Sequence, residues 1–202
     1  MARPTVDLIR RKVLIQATMT AIHRAGLAEP TLAAICKYAG LSSVSIVNHY
    51  FKSKQDLLEC TMHELAGDFL GEVALRTGST QTPFDRVLAV IDANFAPSQC
   101  TPEAVSSWLW FWSRTPSSPV FAEIEQATHR HIITELKRGL SKLLPAKEVG
   151  DTAESLMALM YGMWLRFALN PKILDVEAAR RITRDNFLLR LQAAEASPVL
   201  AE

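Results

Sequence analysis

The chain has 202 residues, 49% of them apolar and 21% charged, with a net charge of +1. That balance suits one large globular domain or two small ones with a core that needs no disulfide or metal staple, and it excludes a largely disordered or fibrous protein. Charge is unevenly placed: residues 1–60 carry eight Lys/Arg against four Asp/Glu, and the remainder carries fourteen against seventeen. A basic front and an acidic back fit a protein whose N-terminal part meets phosphate.

Cys36, Cys60 and Cys100 are odd in number and lack metal-ligand spacing, which fits a reduced, cytoplasmic protein with no metal site. The opening MARPTVDLIRRK has no apolar core, so no signal peptide is expected. No run reaches the ~18 apolar residues of a membrane span.

Nearly every stretch has helical periodicity. A first helix is predicted over 6–26, with Leu14, Ala17, Thr18, Ala21 and Ala25 on one face and Gly26 at its C-cap. Arg10 and Arg11, near its start, are candidates either for a solvated face or for phosphate contact. Pro30 and Thr31 open a short helix over 32–38. Gly40 occupies the turn that follows, and Ser42 is read as the cap of a second short helix ending near His49. Ser53 caps a long helix over 54–76, with Asp56 in its first turn, where the helix dipole favours an anion.

The stretch 77–83, TGSTQTP, reads as a linker. Further helices are predicted over 84–95, 102–114, 118–144, 147–169 and 175–194, punctuated by Pro97, Pro102, Pro116, Pro119, Pro145 and Pro171. The expected fold is all-α with about nine helices. Residues 1–53 would form a helix-turn-helix DNA-binding domain, and residues 54–202 a ligand-binding and dimerisation domain.

Two short helices around a Gly turn, followed by an aromatic hinge and a lysine, are the layout of a helix-turn-helix whose second helix enters the major groove. Ile35, Ala39, Leu41 and Ile46 would supply its core together with Ala17 and Ala21. Ser43, Ser45, Asn48 and His49 would then face outward as short hydrogen-bonding side chains suited to base edges and phosphates. Tyr50 offers a phenol at the hinge. Lys54, with the amides of its helix N-terminus, would make a phosphate site.

These residues resemble the TetR family of bacterial transcriptional repressors. The matching features are Thr31-Leu32-Ala33-Ala34-Ile35, Ala39-Gly40-Leu41-Ser42, His49-Tyr50-Phe51, Lys52-Ser53-Lys54 and Leu57-Leu58. The resemblance implies phosphate contacts by Thr31 and Lys54, a backbone contact by Tyr50, and a recognition helix over 42–49. Its fold, length and N-terminal site cover the whole chain. One departure is visible: between the turn and Tyr50-Phe51 this chain has one more residue than the family usually has. That extra residue leaves open which of Ser43, Val44 and Ser45 faces the groove.

Trp108, Trp110 and Trp112 lie within five residues. At helical spacing Trp108, Phe111 and Trp112 share one face, and Trp110 points roughly the other way. Tyr161, Trp164 and Phe167 form a second series. Such aromatics can be core, or they can form a cage for a quaternary ammonium group. Trp108-Leu109-x-Phe111-Trp112 and Gly162-Met163-Trp164-Leu165-Arg166, with Asn94-Phe95 and Arg10-Arg11, resemble a branch of the family, the choline-responsive repressors of glycine betaine synthesis. That likeness implies a pocket of Phe95, Trp108, Phe111, Trp112, Tyr161 and Trp164 for choline or another quaternary amine. The branch commonly has acids where this chain has Tyr161 and near Ala96, so an unrelated apolar or aromatic effector acting on transport or catabolic genes is the alternative.

The last two long helices carry Leu156, Met160, Met163 and Phe167, and then Ile182, Leu189 and Leu191. A homodimer through them would present two reading heads to a palindromic double-stranded operator. No Ser-His-Asp, Cys-His or paired-carboxylate spacing stands out, so no catalytic residue is expected and no cofactor is called for. His129 and His131, two apart on a helix, would point their rings apart.

Overall fold

The computed structural model describes residues 3–26, 28–170, 172 and 175–196, with side chains from Val6 onward. The connection expected at Pro171 lies outside the described residues. Among those described the chain is all helical: α1 (Arg3–Ala25), α2 (Leu32–Tyr38), α3 (Ser45–Tyr50), α4 (Lys54–Gly78), α5 (Pro83–Asn94), α6 (Pro102–Arg114), α7 (Pro119–Leu140), α8 (Ala146–Leu169) and α9 (Val176–Ala196), with a 3-10 turn at Thr115–Ser117. No described helix is long and apolar enough to cross a membrane.

Local chemistry sets the boundaries. Gly26 and Gly40 take φ of +64° and +67°, a left-handed conformation that stops α1 and turns the chain after α2. The hydroxyls of Thr31, Thr82 and Thr101 accept the amides of Ala34, Asp85 and Ala104, capping α2, α5 and α6. The stretch read as a linker from residue 77 begins two residues later, because α4 continues through Thr77 and Gly78. Within that last turn the Thr77 hydroxyl donates to the Val73 carbonyl at 2.8 Å.

The chain divides into two compact units. One is Met1–Asp68 with Thr101–Gln126; the other is Phe69–Cys100 with Ala127–Glu202. In the first, α1 packs against α2 and α6 and meets α3. Its core joins Leu14, Ile15, Ala17, Ala21, Ile35, Cys36, Val47, Phe51 and Leu57. Thr18 is buried with them, whereas Ala25, placed on the same face by spacing alone, is exposed because α1 ends beneath it.

In the second unit α9 packs on α5 and α8. Arg184 grips the Asp92 carboxylate through two nitrogens, and Arg86 donates to Glu135 at 2.6 Å. Gly139 is required by a close approach: a Cβ there would lie 2.6 Å from the Val87 side chain and 2.8 Å from the Pro83 carbonyl. Leu156, Met160, Met163 and Phe167, expected on an outer apolar face, are core residues of this unit. The large apolar side chains exposed on α8 and α9, among the described residues, are Leu165, Leu169, Leu188 and Leu189.

Candidate nucleic-acid interface and effector residues

The recognition segment departs from the expected register. Ser42 does not cap a helix; α3 starts at Ser45 with Val44 at the N-cap position and no side-chain cap. The Ser43 hydroxyl accepts the Ser45 amide at 3.2 Å and lies 2.7 Å from the Ser45 hydroxyl, and the Cys36 thiol donates to the Ser43 carbonyl. Three candidate cap serines in four residues made the start ambiguous in the sequence. The tie is broken by which apolar residues reach the core.

Val47, 1% exposed, fills the place expected of Ile46, which is only half-buried. Val44 packs at the edge of the same core, and Phe51 closes it. The spacing Val44, Val47, Phe51 therefore defines the inner face. Ser42, Ser43, Ser45, Asn48 and His49 are all exposed, so the five polar residues of the segment are presented together. The His49 ring meets Tyr50 edge-on, with centroids 5.0 Å apart, and Tyr50 is half-buried.

Thr31 is exposed and serves as the α2 cap, accepting from Ala34 at 3.1 Å. At the start of α4 the Ser53 hydroxyl accepts the Asp56 amide at 3.0 Å, and the Asp56 carboxylate accepts the Lys52 amide at 2.8 Å. This reciprocal pair resembles a capping box and uses two amides that a phosphate would otherwise meet. Lys54 is engaged too: its ammonium group donates to Glu29, and that hydrogen bond, helped by the nearby charges of Lys54 and Arg114, holds the Glu29 carboxyl below its ordinary pKa against a smaller opposing effect of burial.

Arg11 is not a merely solvated side chain. Its guanidinium lies 4.2 Å over the Phe51 ring, donates to the Tyr50 carbonyl and reaches the Cys60 sulfur at 3.4 Å. Its partners are 39 and 49 residues away in sequence, which is why spacing gave no sign of them. Arg10 is exposed.

The six residues expected to meet an effector are divided between the units. In the first, Trp108 and Phe111 are buried and Trp112 is half-buried, with the Trp108 and Trp112 rings 5.6 Å apart. Phe111 stands edge-on to Phe121 at 5.1 Å. Trp110 does face elsewhere: its indole N–H donates to the Ala28 carbonyl at 3.2 Å, and Arg114 lies 3.8 Å over its ring, which ties α6 to the segment leading into α2. In the second, Phe95 and Trp164 are buried and Tyr161 is half-buried. Trp164 lies 6.0 Å from Phe69 and Tyr161 lies 6.4 Å from His129. His131 is exposed, as expected of a diverging pair.

Comparison with known proteins adds to this geometry. Residues 14–60 match the family described as bacterial regulatory proteins, tetR family, and residues 83–191 match the family described as BetI-type transcriptional repressor, C-terminal. The HTH-type transcriptional regulator BetI 1 of Chromohalobacter salexigens is 37% identical over 178 residues, 88% of each chain. The regulator BetI of an Escherichia coli strain is 35% identical over 181 residues, 87% of this chain and 91% of its own. Among solved structures, a transcriptional regulator from Rhodococcus superposes with a TM-score of 0.79 at 21% identity, covering 93% of this chain and 99% of its own. A regulator from Saccharomonospora viridis, solved in complex with choline, superposes at 0.75 with 16% identity, covering 88% and 95%.

Proposed function

Because the chain belongs to the TetR family, as a DNA-binding transcriptional repressor with a BetI-type C-terminal region and not an enzyme, we propose that it controls genes of glycine betaine synthesis or choline uptake in response to choline or a close quaternary amine. The observation that carries the DNA side is the common exposure of Ser43, Ser45, Asn48 and His49 around a helix whose Val47 is locked in the core. In this reading Asn48, whose amide matches the edge of adenine, and His49 contact bases, Ser42, Ser43 and Ser45 contact bases or phosphates, and Thr31, Tyr50 and Lys54 contact the DNA backbone. Residues 1–53 carry DNA recognition and residues 54–202 carry effector binding and dimerisation.

The effector contacts are assigned to Phe95, Trp108, Phe111, Trp112, Tyr161 and Trp164. The paired Trp108 and Trp112 rings support a cationic ligand, since the face of an indole attracts a quaternary ammonium group without a buried counter-charge. The homodimer forms through α8 and α9, where Leu165, Leu169, Leu188 and Leu189 remain exposed. The protein acts in the cytoplasm. Effector changes operator affinity only by its preference between two states of the dimer, a coupling of typically ~1–3 kcal/mol.

Two measurements test this reading. A duplex selected by the protein from a random-sequence pool should be bound, and choline should change the affinity while an uncharged isostere does not. A thermal-shift panel of quaternary amines should single out one member, which at 100 times its dissociation constant adds about 2.7 kcal/mol of stability. The half-buried Tyr161, where the choline branch commonly has an acid, and the buried Ala96, near the place of another, favour a second reading with an apolar or aromatic effector. In that case the panel stays silent while the duplex still binds.

A further inference from the structure

Recognition by a helix of six residues depends on holding it still, because its own hydrogen bonds are too few to stabilise it. Its N-terminal side is secured by the Ser43 hydroxyl and carbonyl and by Val44 at the edge of the core. Its C-terminal side is secured by Arg11. From α1, one guanidinium reaches the last carbonyl of the helix at Tyr50, the ring of the hinge residue Phe51 and the Cys60 sulfur on α4. Cys60 in turn lies 3.9 Å from the Asp56 carboxylate that accepts the Lys52 amide. A single side chain thus braces the end of α3, the hinge and the first turns of α4.

We propose that Arg11 is a positioning residue for DNA recognition, setting the angle at which α3 presents Ser45, Asn48 and His49, and that it does not act as a phosphate contact. This rests on the assignment of α3 as the reading helix. Three features favour it. A cation at a helix C-terminus is favoured by the helix dipole, and hydrogen bonding to a terminal carbonyl reinforces it. The planar guanidinium can lie on a ring and donate in its own plane at once, which an ammonium group cannot do. The same engagements turn the charge toward the protein, in contrast to the exposed Arg10 next to it.

The test uses full-length Arg11→Lys and Arg11→Ala proteins. Each is titrated on the duplex selected by the wild type and on a scrambled duplex of equal composition, over a range of salt concentrations. Positioning predicts that both variants lose at least tenfold of the selected-to-scrambled affinity ratio, while binding of the scrambled duplex and its salt slope stay at wild-type values. The lysine variant fails alongside alanine because it keeps the charge but cannot lie on the Phe51 ring and donate to the Tyr50 carbonyl at once. Equal losses on both duplexes with a shallower salt slope in the alanine variant, rescued by lysine, would make Arg11 a phosphate contact and overturn the proposal. Unchanged ratios in both variants overturn it as well. Should alanine leave the chain unfolded by circular dichroism, the lysine variant decides alone. If the wild type itself fails to prefer the selected duplex, the reading of α3 falls instead.

Discussion

Lys54, at the first position of α4, donates a hydrogen bond to Glu29 in the segment before α2, so the lysine expected to meet a phosphate is held by a carboxylate of its own unit. Both side chains keep solvent contact, 29% for Lys54 and 56% for Glu29, and an ion pair so placed is worth only about 0.2–1 kcal/mol. A phosphate can therefore displace Glu29, at a small cost in affinity that is the same for every sequence.

Glu29→Gln should tighten binding of selected and scrambled duplexes alike, by up to roughly fivefold, the equivalent of about 1 kcal/mol. Fluorescence anisotropy on both duplexes checks this. The same pair has a pH signature. A carboxyl whose pKa is lowered in the folded state contributes stability that is fully present above its ordinary pKa and is lost as pH falls through the lowered value. The stability difference between wild type and Glu29→Gln should stay flat across neutral pH and disappear only below the ordinary carboxylate range, as read from urea titrations.

Lys54→Ala should weaken every duplex alike and flatten the salt dependence, lowering the slope of log affinity against log salt by about 0.9 per subunit. A slope identical to wild type would remove Lys54 from the interface.

Ser42 and Ser53 should behave in opposite ways. Ser53 accepts the Asp56 amide and Ser42 caps nothing. Ser53→Ala should cost about 1 kcal/mol in chemical denaturation, whereas Ser42→Ala should stay within roughly 0.5 kcal/mol. A comparable loss in both would mean that the recognition helix starts at Ser42 after all.

Trp112→Ala should abolish the response to a quaternary amine and leave operator binding intact, because its half-buried ring packs on Trp108 of the same helix. Titration of the operator complex with choline reads both properties at once. An unaltered ligand response would withdraw Trp112 from the effector site.

Gly139→Ala tests the packing of α7 on α5. The added methyl would meet Val87 and the Pro83 carbonyl well inside contact distance, and the backbone oxygen cannot swing aside as a side-chain tip could. A loss of about 1–3 kcal/mol is expected, measured as a lowered urea midpoint with an unchanged m-value.

Several helix positions were legible from a chemical stop at an end, although α7, expected over 118–144, stops at Leu140, ahead of Pro145. Thr31 and Gly40 bracket α2, and Thr101 and Pro102 open α6 at the expected residue. The start of α3 was not legible, because Ser42, Ser43 and Ser45 are equivalent as caps and only the burial of Val47 separates them. Ile46 and Val47 were likewise interchangeable by composition, and one residue of register exchanges them. The role of Arg11 depends on a carbonyl, a ring and a sulfur brought together from distant segments, and no local pattern encodes that meeting. Aromatic clustering was visible in α6, yet periodicity could not assign Trp110 its bond to Ala28.

A reading element of six residues is about 9 Å long. That is less than three steps along B-DNA at roughly 3.4 Å each. Whatever Asn48 and His49 distinguish, one copy of the chain samples so few base pairs that matching half-sites recur throughout any genome. In the proposed dimer, discrimination would then depend on the distance between two half-sites as well as on the bases that each half reads.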